Sequence, residues 1–140
     1  MEASSPARLY CALVGAGLVI AGIIGFFYSA SFDTGNSLSS DEALGLLALN
    51  GWHNLLHLAI GVTLLIGANS AAREFALGIG LLYLVLAVWG FVVTDNGHGD
   101  LLNLVPINTE DNFLHLILGL TGVAAGAATP KAAGRKAPAT

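Results

Sequence analysis

Four long apolar stretches are the feature that most limits how this chain of 140 residues can fold. They cover about residues 9–30, 50–68, 75–94 and 112–128, close to the roughly 20 helical residues that cross a bilayer core of ~30 Å. Only 10% of the residues are charged, whereas a soluble domain has roughly 25%. So few charges do not cover a water-soluble surface. The sequence therefore predicts an all-α membrane protein, a bundle of four transmembrane helices in a lipid bilayer.

The chain is short enough for one domain. We expect residues 1–8 to form an N-terminal segment and residues 9–128 to form the four-helix transmembrane domain. Residues 129–140, rich in Ala, Pro, Gly and Lys, are expected to be a disordered tail. In the first connection, Ser40, Asp41 and Glu42 precede an apolar run, and this pattern predicts a short capped helix at the membrane surface.

The basic residues mark one side of the membrane. Five precede the first stretch, follow the fourth or lie between the second and third: Arg8, Arg73, Lys131, Arg135 and Lys136. The other two connections, residues 31–49 and 95–111, contain no Lys or Arg. The positive-inside rule therefore predicts that both termini are cytoplasmic. The net charge of −4 argues against nucleic acid as a partner.

The second and fourth stretches contain a repeat. Residues 50–63 (NGWHNLLHLAIGVT) and residues 108–121 (NTEDNFLHLILGLT) align without gaps, and seven of fourteen positions are identical. The identical pairs are Asn50/Asn108, Asn54/Asn112, Leu56/Leu114, His57/His115, Leu58/Leu116, Gly61/Gly119 and Thr63/Thr121. Three of these pairs are strongly polar, which lipid disfavours. The pattern indicates two parallel two-helix repeats, related by an axis along the membrane normal.

The repeated polar residues follow helical spacing. The steps between Asn50, Asn54, His57 and Gly61 are four, three and four residues, which puts them on one face of a helix. The second copy repeats this stripe. Because polar groups at membrane depth usually face the bundle interior, the two stripes are expected to face each other. The candidate site residues are His57, His115, Asn54, Asn112, Gly61 and Gly119.

This arrangement resembles a family of small four-span bacterial membrane proteins that is known only as a domain of unknown function. The resemblance rests on the two Asn-x-x-His-Leu-x-x-Gly helices and on Pro106 and Asn108 before the second one. It extends over roughly residues 9–128. The resemblance supports the four-span topology, implies a location in the inner membrane of a bacterium, and implies no particular activity.

Two interpretations of the histidines stay open. In the first, the Asn and His side chains make hydrogen bonds between helices, and the protein is an accessory or structural subunit that associates with other membrane subunits or with itself. In the second, His57 and His115 are axial ligands of a tetrapyrrole, either a haem or a chlorophyll-type pigment. Gly61 and Gly119 would then leave room for the macrocycle.

Other chemistry has less support from the sequence. His53 and His57 have the i, i+4 spacing of metal ligands, and His115 is a candidate third ligand. However, we expect His53 to lie at the wet interface. The segment from Asp95 to Asp100 is typical of a turn first and of an ion site second. No catalytic constellation or intramembrane carboxylate pair is recognisable, so an enzyme is not predicted.

Overall fold

A computed structural model describes residues 4–131 of the chain. Its helices are α1 (Pro6–Gly25), α2 (Gly51–Ser70), α3 (Ala72–Val93) and α4 (Thr109–Ala128). Each of these four helices is long and apolar enough to cross a membrane. Most of the predicted tail, residues 132–140, lies outside the described residues.

The two connections that lack basic residues each contain a β-hairpin. In the first connection, β1 (Asp41–Ala43) pairs with β2 (Leu47–Leu49), and in the second, β3 (His98–Leu101) pairs with β4 (Val105–Asn108). A single turn of 3₁₀-helix, Gly35–Ser37, precedes the first hairpin. The expectation of a short capped helix after Ser40 is therefore wrong.

The turns of the two hairpins have the same backbone conformation, which is not helical. Leu44 and Gly45 have φ of 57° and 64°, and Leu102 and Asn103 have φ of 59° and 53°. Two consecutive residues with positive φ are typical of a type I′ turn, whose twist matches that of the two flanking strands. When the alignment of residues 50–63 with residues 108–121 is extended towards the N-terminus, the two turns align with each other. The repeated unit is therefore a helix, a hairpin and a second helix.

Within each unit the helices pack closely. α1 packs along α2, and α3 packs along α4. A Cβ atom placed on Gly15 would lie 2.9 Å from the Gly61 carbonyl oxygen, and one placed on Gly80 would lie 3.1 Å from the Gly119 carbonyl oxygen. Gly80 thus has the place in α3 that Gly15 has in α1. Small residues allow this close approach of helix backbones in lipid.

The apolar core lies between the helices. Eight buried residues form its centre: Ala7, Tyr10, Cys11, Leu18, Leu64, Ala68, Ala76 and Tyr83. A second, smaller cluster lies beneath the second hairpin, where Leu101, Val105 and Ile107 pack with Leu86 and Trp52. Many large apolar side chains of the helices point outward, as expected for a surface that contacts lipid.

The bundle has two different ends. The hairpin end contains both β-hairpins, and the opposite end, which we call the turn end, contains the short connection at Ala71 and both ends of the described chain. At the turn end, the Ala7 amide donates to Thr129 Oγ1 at 2.9 Å. The Arg8 guanidinium donates to Asn69 at 3.0 Å, and Arg73 Nε donates to the Thr129 carbonyl at 3.1 Å.

Candidate functional site

The first asparagine of each stripe caps a helix. The Asn50 side chain accepts from the His53 amide at 2.9 Å, at the start of α2. The Asn108 side chain accepts from the Asp111 amide at 2.9 Å, at the start of α4. Asparagine is among the best N-cap residues, because its side chain satisfies an amide that has no partner within the helix.

The same two asparagines also join the repeats to each other. Asn50 Nδ2 donates to the Leu104 carbonyl at 2.9 Å, and Asn108 Nδ2 donates to the Leu46 carbonyl at 2.7 Å. Leu46 and Leu104 follow the turn at the same position of their respective hairpins. Each asparagine therefore holds the hairpin of the other repeat, and the two hydrogen bonds are reciprocal.

The second asparagine of each stripe binds the segment after the preceding helix. Asn54 Nδ2 donates to the Ser29 carbonyl at 2.8 Å, just after α1. Asn112 Nδ2 donates to Thr94 Oγ1 at 2.8 Å, just after α3. Both asparagines are at most 1% exposed, so these bonds satisfy donors that have no access to water.

A glycine makes room for each of these amides. A Cβ atom placed on Gly25 would collide with the side-chain amide of Asn54, and one placed on Gly90 would collide with that of Asn112. These glycines are the last residue of α1 and a residue in the last turn of α3. Gly25 and Gly90 therefore have the same packing role in their repeats.

The deeper glycines of the stripe face neighbouring helices. A Cβ atom placed on Gly61 would lie 2.8 Å from both Gly15 O and a Val19 methyl group. One placed on Gly119 would lie 2.7 Å from the Leu84 side chain. Gly61 and Gly119 therefore pack against α1 and α3, the other helices of their own repeats.

The candidate histidines meet at one small cavity. His53, His57, His115 and Tyr83 line a space of about 50 Å³ beneath the second hairpin, which we call the histidine chamber. The ring centroids of His53 and His57 are 4.5 Å apart, those of His53 and His115 are 6.4 Å apart, and those of Tyr83 and His115 are 5.3 Å apart. His57 and His115 therefore lie at one cavity, as facing stripes would require. The expectation is wrong for the second asparagine and the glycine of each stripe, because these residues contact the other helix of their own repeat or the segment that follows it.

Several polar atoms of the histidine chamber have no protein partner. Among residues 4–131, the unpartnered buried atoms include Nδ1 of His53, Nδ1 of His115 and the Tyr83 hydroxyl. Buried polar atoms are ordinarily hydrogen-bonded, and each exception calls for an explanation. A neutral imidazole both donates and accepts, and so does a phenol. The chamber is therefore suited to hydrogen bonding with a small uncharged polar group.

The expectation that His53 lies at the wet interface is wrong. His53 is only 4% exposed, because the two hairpins fold over the start of α2 and cover it. Without the hairpins, nothing in the sequence pattern indicates that this residue is buried. A longer alignment of the repeat contains a signal for the hairpins, because it pairs Leu44-Gly45 with Leu102-Asn103, the two turns.

Position 53 is also where the repeats differ in chemistry, since its equivalent is Asp111. One carboxylate oxygen of Asp111 accepts from the amides of Ala48 and Asn108, both at 3.0 Å. The residue equivalent to Ala48 is Pro106, which has no amide hydrogen. His53 lies against the backbone of both Ala48 and Pro106. A carboxylate at position 53 would lack the second donor, which disfavours an aspartate there.

Metal binding gains no support from the geometry. Within the part of the chain that the structure describes, no three His, Cys, Asp or Glu side chains are arranged to hold a metal ion. The segment from Asp95 to Asp100 forms a turn, in which the backbones of Asp95 and His98 exchange hydrogen bonds of 2.9 and 3.0 Å. The Asp100 carboxylate accepts from the Asn103 amide at 2.7 Å.

The helices and the duplicated hairpin define the class: a multi-pass membrane protein, built as a bundle of four helices from two helix–hairpin–helix units. Comparison with known families is consistent with this class. A family model described as a domain of unknown function, DUF4383, matches residues 8–128, and the chain belongs to this family. Neither the curated proteins nor the solved structures contain a match.

Proposed function

We propose that this protein is an accessory or structural subunit of a membrane assembly and that it contacts its partners through the tips of its two hairpins. The observation that carries the proposal is the pair of leucines at these tips. Leu44 and Leu102 are 85% and 72% exposed, and both have positive φ.

Leucine is an unfavourable residue at these positions. The left-handed conformation costs a residue with a Cβ roughly 1–2 kcal/mol, and Gly, Asn or Asp is the usual choice in such turns. An exposed leucine does not recover this cost within the chain. Its presence at equivalent tips of both repeats supports a contact with an apolar surface outside the chain, either on another membrane subunit or on a second copy.

The use of the polar stripe supports the same function. The amide groups of Asn50, Asn54, Asn108 and Asn112 donate within the chain. The bonds of Asn50 and Asn108 hold the hairpins in position over the bundle, and a contact surface on fixed elements loses little conformational entropy on binding. Most of the stripe therefore has a structural role within the chain. The hairpin tips are the surface that we assign to a partner.

Site-specific photo-crosslinking tests this proposal in cells. A photoreactive amino acid at position 44 or 102 is expected to give discrete protein–protein adducts. Val92 is the matched control, because it is 78% exposed on a transmembrane helix, and it is expected to crosslink to lipid. If the hairpin tips also crosslink to lipid alone, the tips anchor the protein in the membrane and the proposed role is wrong.

The proposal includes a location and an orientation. Arg8 and Arg73 lie at the turn end, and the hairpin end carries acidic residues in its connections. The positive-inside rule supports a cytoplasmic turn end and an external hairpin end. With the bacterial family resemblance, this corresponds to the inner membrane.

Tetrapyrrole binding is a second candidate, favoured by one observation: His57 and His115 line the same chamber. A haem or chlorophyll-type macrocycle is far larger than about 50 Å³, so its binding requires the helices to move apart. An absorption spectrum of the full-length protein, expressed with added haem precursor, tests this candidate. A Soret band that is lost in His57→Ala and His115→Ala supports it, and a colourless folded protein rejects it.

A further inference from the structure

The two repeats differ in how well they are filled beneath their hairpins. Position 86 on α3 is Leu, and the equivalent position on α1 is Ala21. Position 101 on the second hairpin is also Leu, and its equivalent on the first hairpin is Ala43. The equivalences follow from matching contacts, because Gly25 and Gly90 contact Asn54 and Asn112 in the same way.

These two differences leave space on one side of the molecule. On the second-repeat side, Leu86 packs against a buried cluster that contains Leu101, and the remaining cavity measures about 50 Å³. On the first-repeat side, a pocket of about 200 Å³ is lined by Ala21, Ala43 and their neighbours. We call this space the lateral pocket.

The mouth of the lateral pocket is apolar and open to the side of the bundle. Ile24 on α1 is 50% exposed, and Leu44 at the hairpin tip is 85% exposed. Leu47 and Leu49 of the first hairpin complete the apolar wall. Because α1 is a candidate membrane span, a molecule dissolved in the bilayer reaches this mouth without crossing water.

The inner end of the lateral pocket is polar. His53, His57, Asn54 and Asp111 line it, and His53 and His57 also line the histidine chamber. His53 is 4% exposed, and its Nδ1 has no partner among the described residues. A lipid acyl chain makes no hydrogen bonds with these groups, whereas a polar head group on an apolar molecule does.

The charge and the size of the lateral pocket limit the kinds of head group that it can bind. No Lys or Arg is among the residues that line the pocket, so an anionic head group would meet the Asp111 carboxylate without a counter-charge. Sites for drug-sized ligands measure about 300–1,000 Å³, so about 200 Å³ suits a single ring. A neutral imidazole donates to a carbonyl oxygen and accepts from a hydroxyl group.

We propose that the lateral pocket binds the ring of a lipid-soluble quinone, in its oxidised or reduced form, with the ring oxygen at His53 and the tail between Ile24 and Leu44. This binding site goes beyond the contacts of the hairpin tips with a partner and shares only Leu44 with them. It is built from the polar stripe of the first repeat and from the two alanines that distinguish this repeat from the second.

Binding is measured by circular dichroism as the shift in the melting temperature of the full-length protein in detergent micelles, with decylubiquinone as the probe. A ligand that binds only the folded state raises this temperature in a saturable way. The variant Ala21→Leu/Ala43→Leu introduces the side chains of the second repeat and is expected to weaken the apparent affinity at least tenfold. Ala59→Leu, on an exposed face of α2, is the matched control and should bind like the wild type.

A second variant keeps the test decisive if the double leucine variant does not fold. His53→Leu removes the hydrogen-bonding group and should also weaken binding at least tenfold, whereas His98→Leu, at an exposed position, should not. Decane, which has the tail length without the ring, should leave the melting temperature unchanged. Equal shifts with decane, no saturable shift in the wild type, or undiminished binding in a folded Ala21→Leu/Ala43→Leu or His53→Leu variant would overturn the proposal.

Discussion

The two repeats differ at position 53, where the first has His53 and the second has Asp111. The surroundings of the two residues differ by one amide hydrogen, which Pro106 lacks. Asp111 is stabilised by two backbone amides, but the equivalent environment of His53 contains Pro106. An aspartate there would bury a carboxylate with too few donors, which costs about 1–3 kcal/mol or more for a charged group.

This reasoning predicts a rescue. His53→Asp alone should lower the free energy of unfolding, and adding Pro106→Ala should recover part of the loss, because the new amide can donate to the carboxylate. Pro106→Ala alone should not stabilise the protein, since it adds a buried donor. The free energies of unfolding of the four proteins, measured in mixed micelles, provide the test. Losses that simply add in the double variant would show that position 106 does not face position 53.

At the scale of elements, the two helices of each repeat pack together through a contact between a glycine and an asparagine side chain. Gly25→Ala and Gly90→Ala each place a methyl group against an asparagine side chain. We expect each change to cost about 1–3 kcal/mol, as is usual when a packed site is overfilled. The thermal stability of each purified variant measures this cost.

Gly17→Ala and Gly78→Ala are the matched controls on the same two helices. A Cβ atom at either position meets nothing within 4 Å. Replacement of a helical glycine by alanine should then be neutral or stabilise by about 0.5–1 kcal/mol. Equal losses at all four positions would mean that the contacts with Asn54 and Asn112 have no special importance.

The elements also show how far the sequence alone leads. The helical bundle follows from apolar length, and the meeting of His57 and His115 at one cavity follows from the repeated spacing. The hairpins do not, because Asp41–Leu49 has the acidic start and the leucines of a helix. Leu44 is an unusual residue for a turn with positive φ, so the turn is not recognisable from the sequence. The burial of His53 and the lateral pocket depend on these hairpins, so the sequence pattern does not predict them either.

At the scale of the whole molecule, the orientation in the membrane is open to direct measurement. A reporter fused after Thr140, or inserted at Ser70, should report the cytoplasm, because Arg8 and Arg73 lie at the turn end. A reporter inserted at Asn36, before the first hairpin, should report the outside. An external reporter after Thr140 would reverse the proposed orientation.

The reciprocal bonds of Asn50 and Asn108 are the central feature of the molecule, because they join the repeats at the hairpin end. Serine also caps a helix well, but it lacks the amide that reaches the opposite hairpin. Asn50→Ser and Asn108→Ser therefore remove the contact between repeats and retain the cap. Each change is expected to lower the free energy of unfolding by about 1–3 kcal/mol.

The double-mutant cycle of these two substitutions tests the account most directly. If both bonds hold one interface between the hairpins, loss of the first loosens the interface and makes the second less valuable. The double variant should then lose less than the sum of the single variants, by at least about 0.5 kcal/mol. Losses that add fully would contradict the account, because they would mean that the two asparagines act on separate structures.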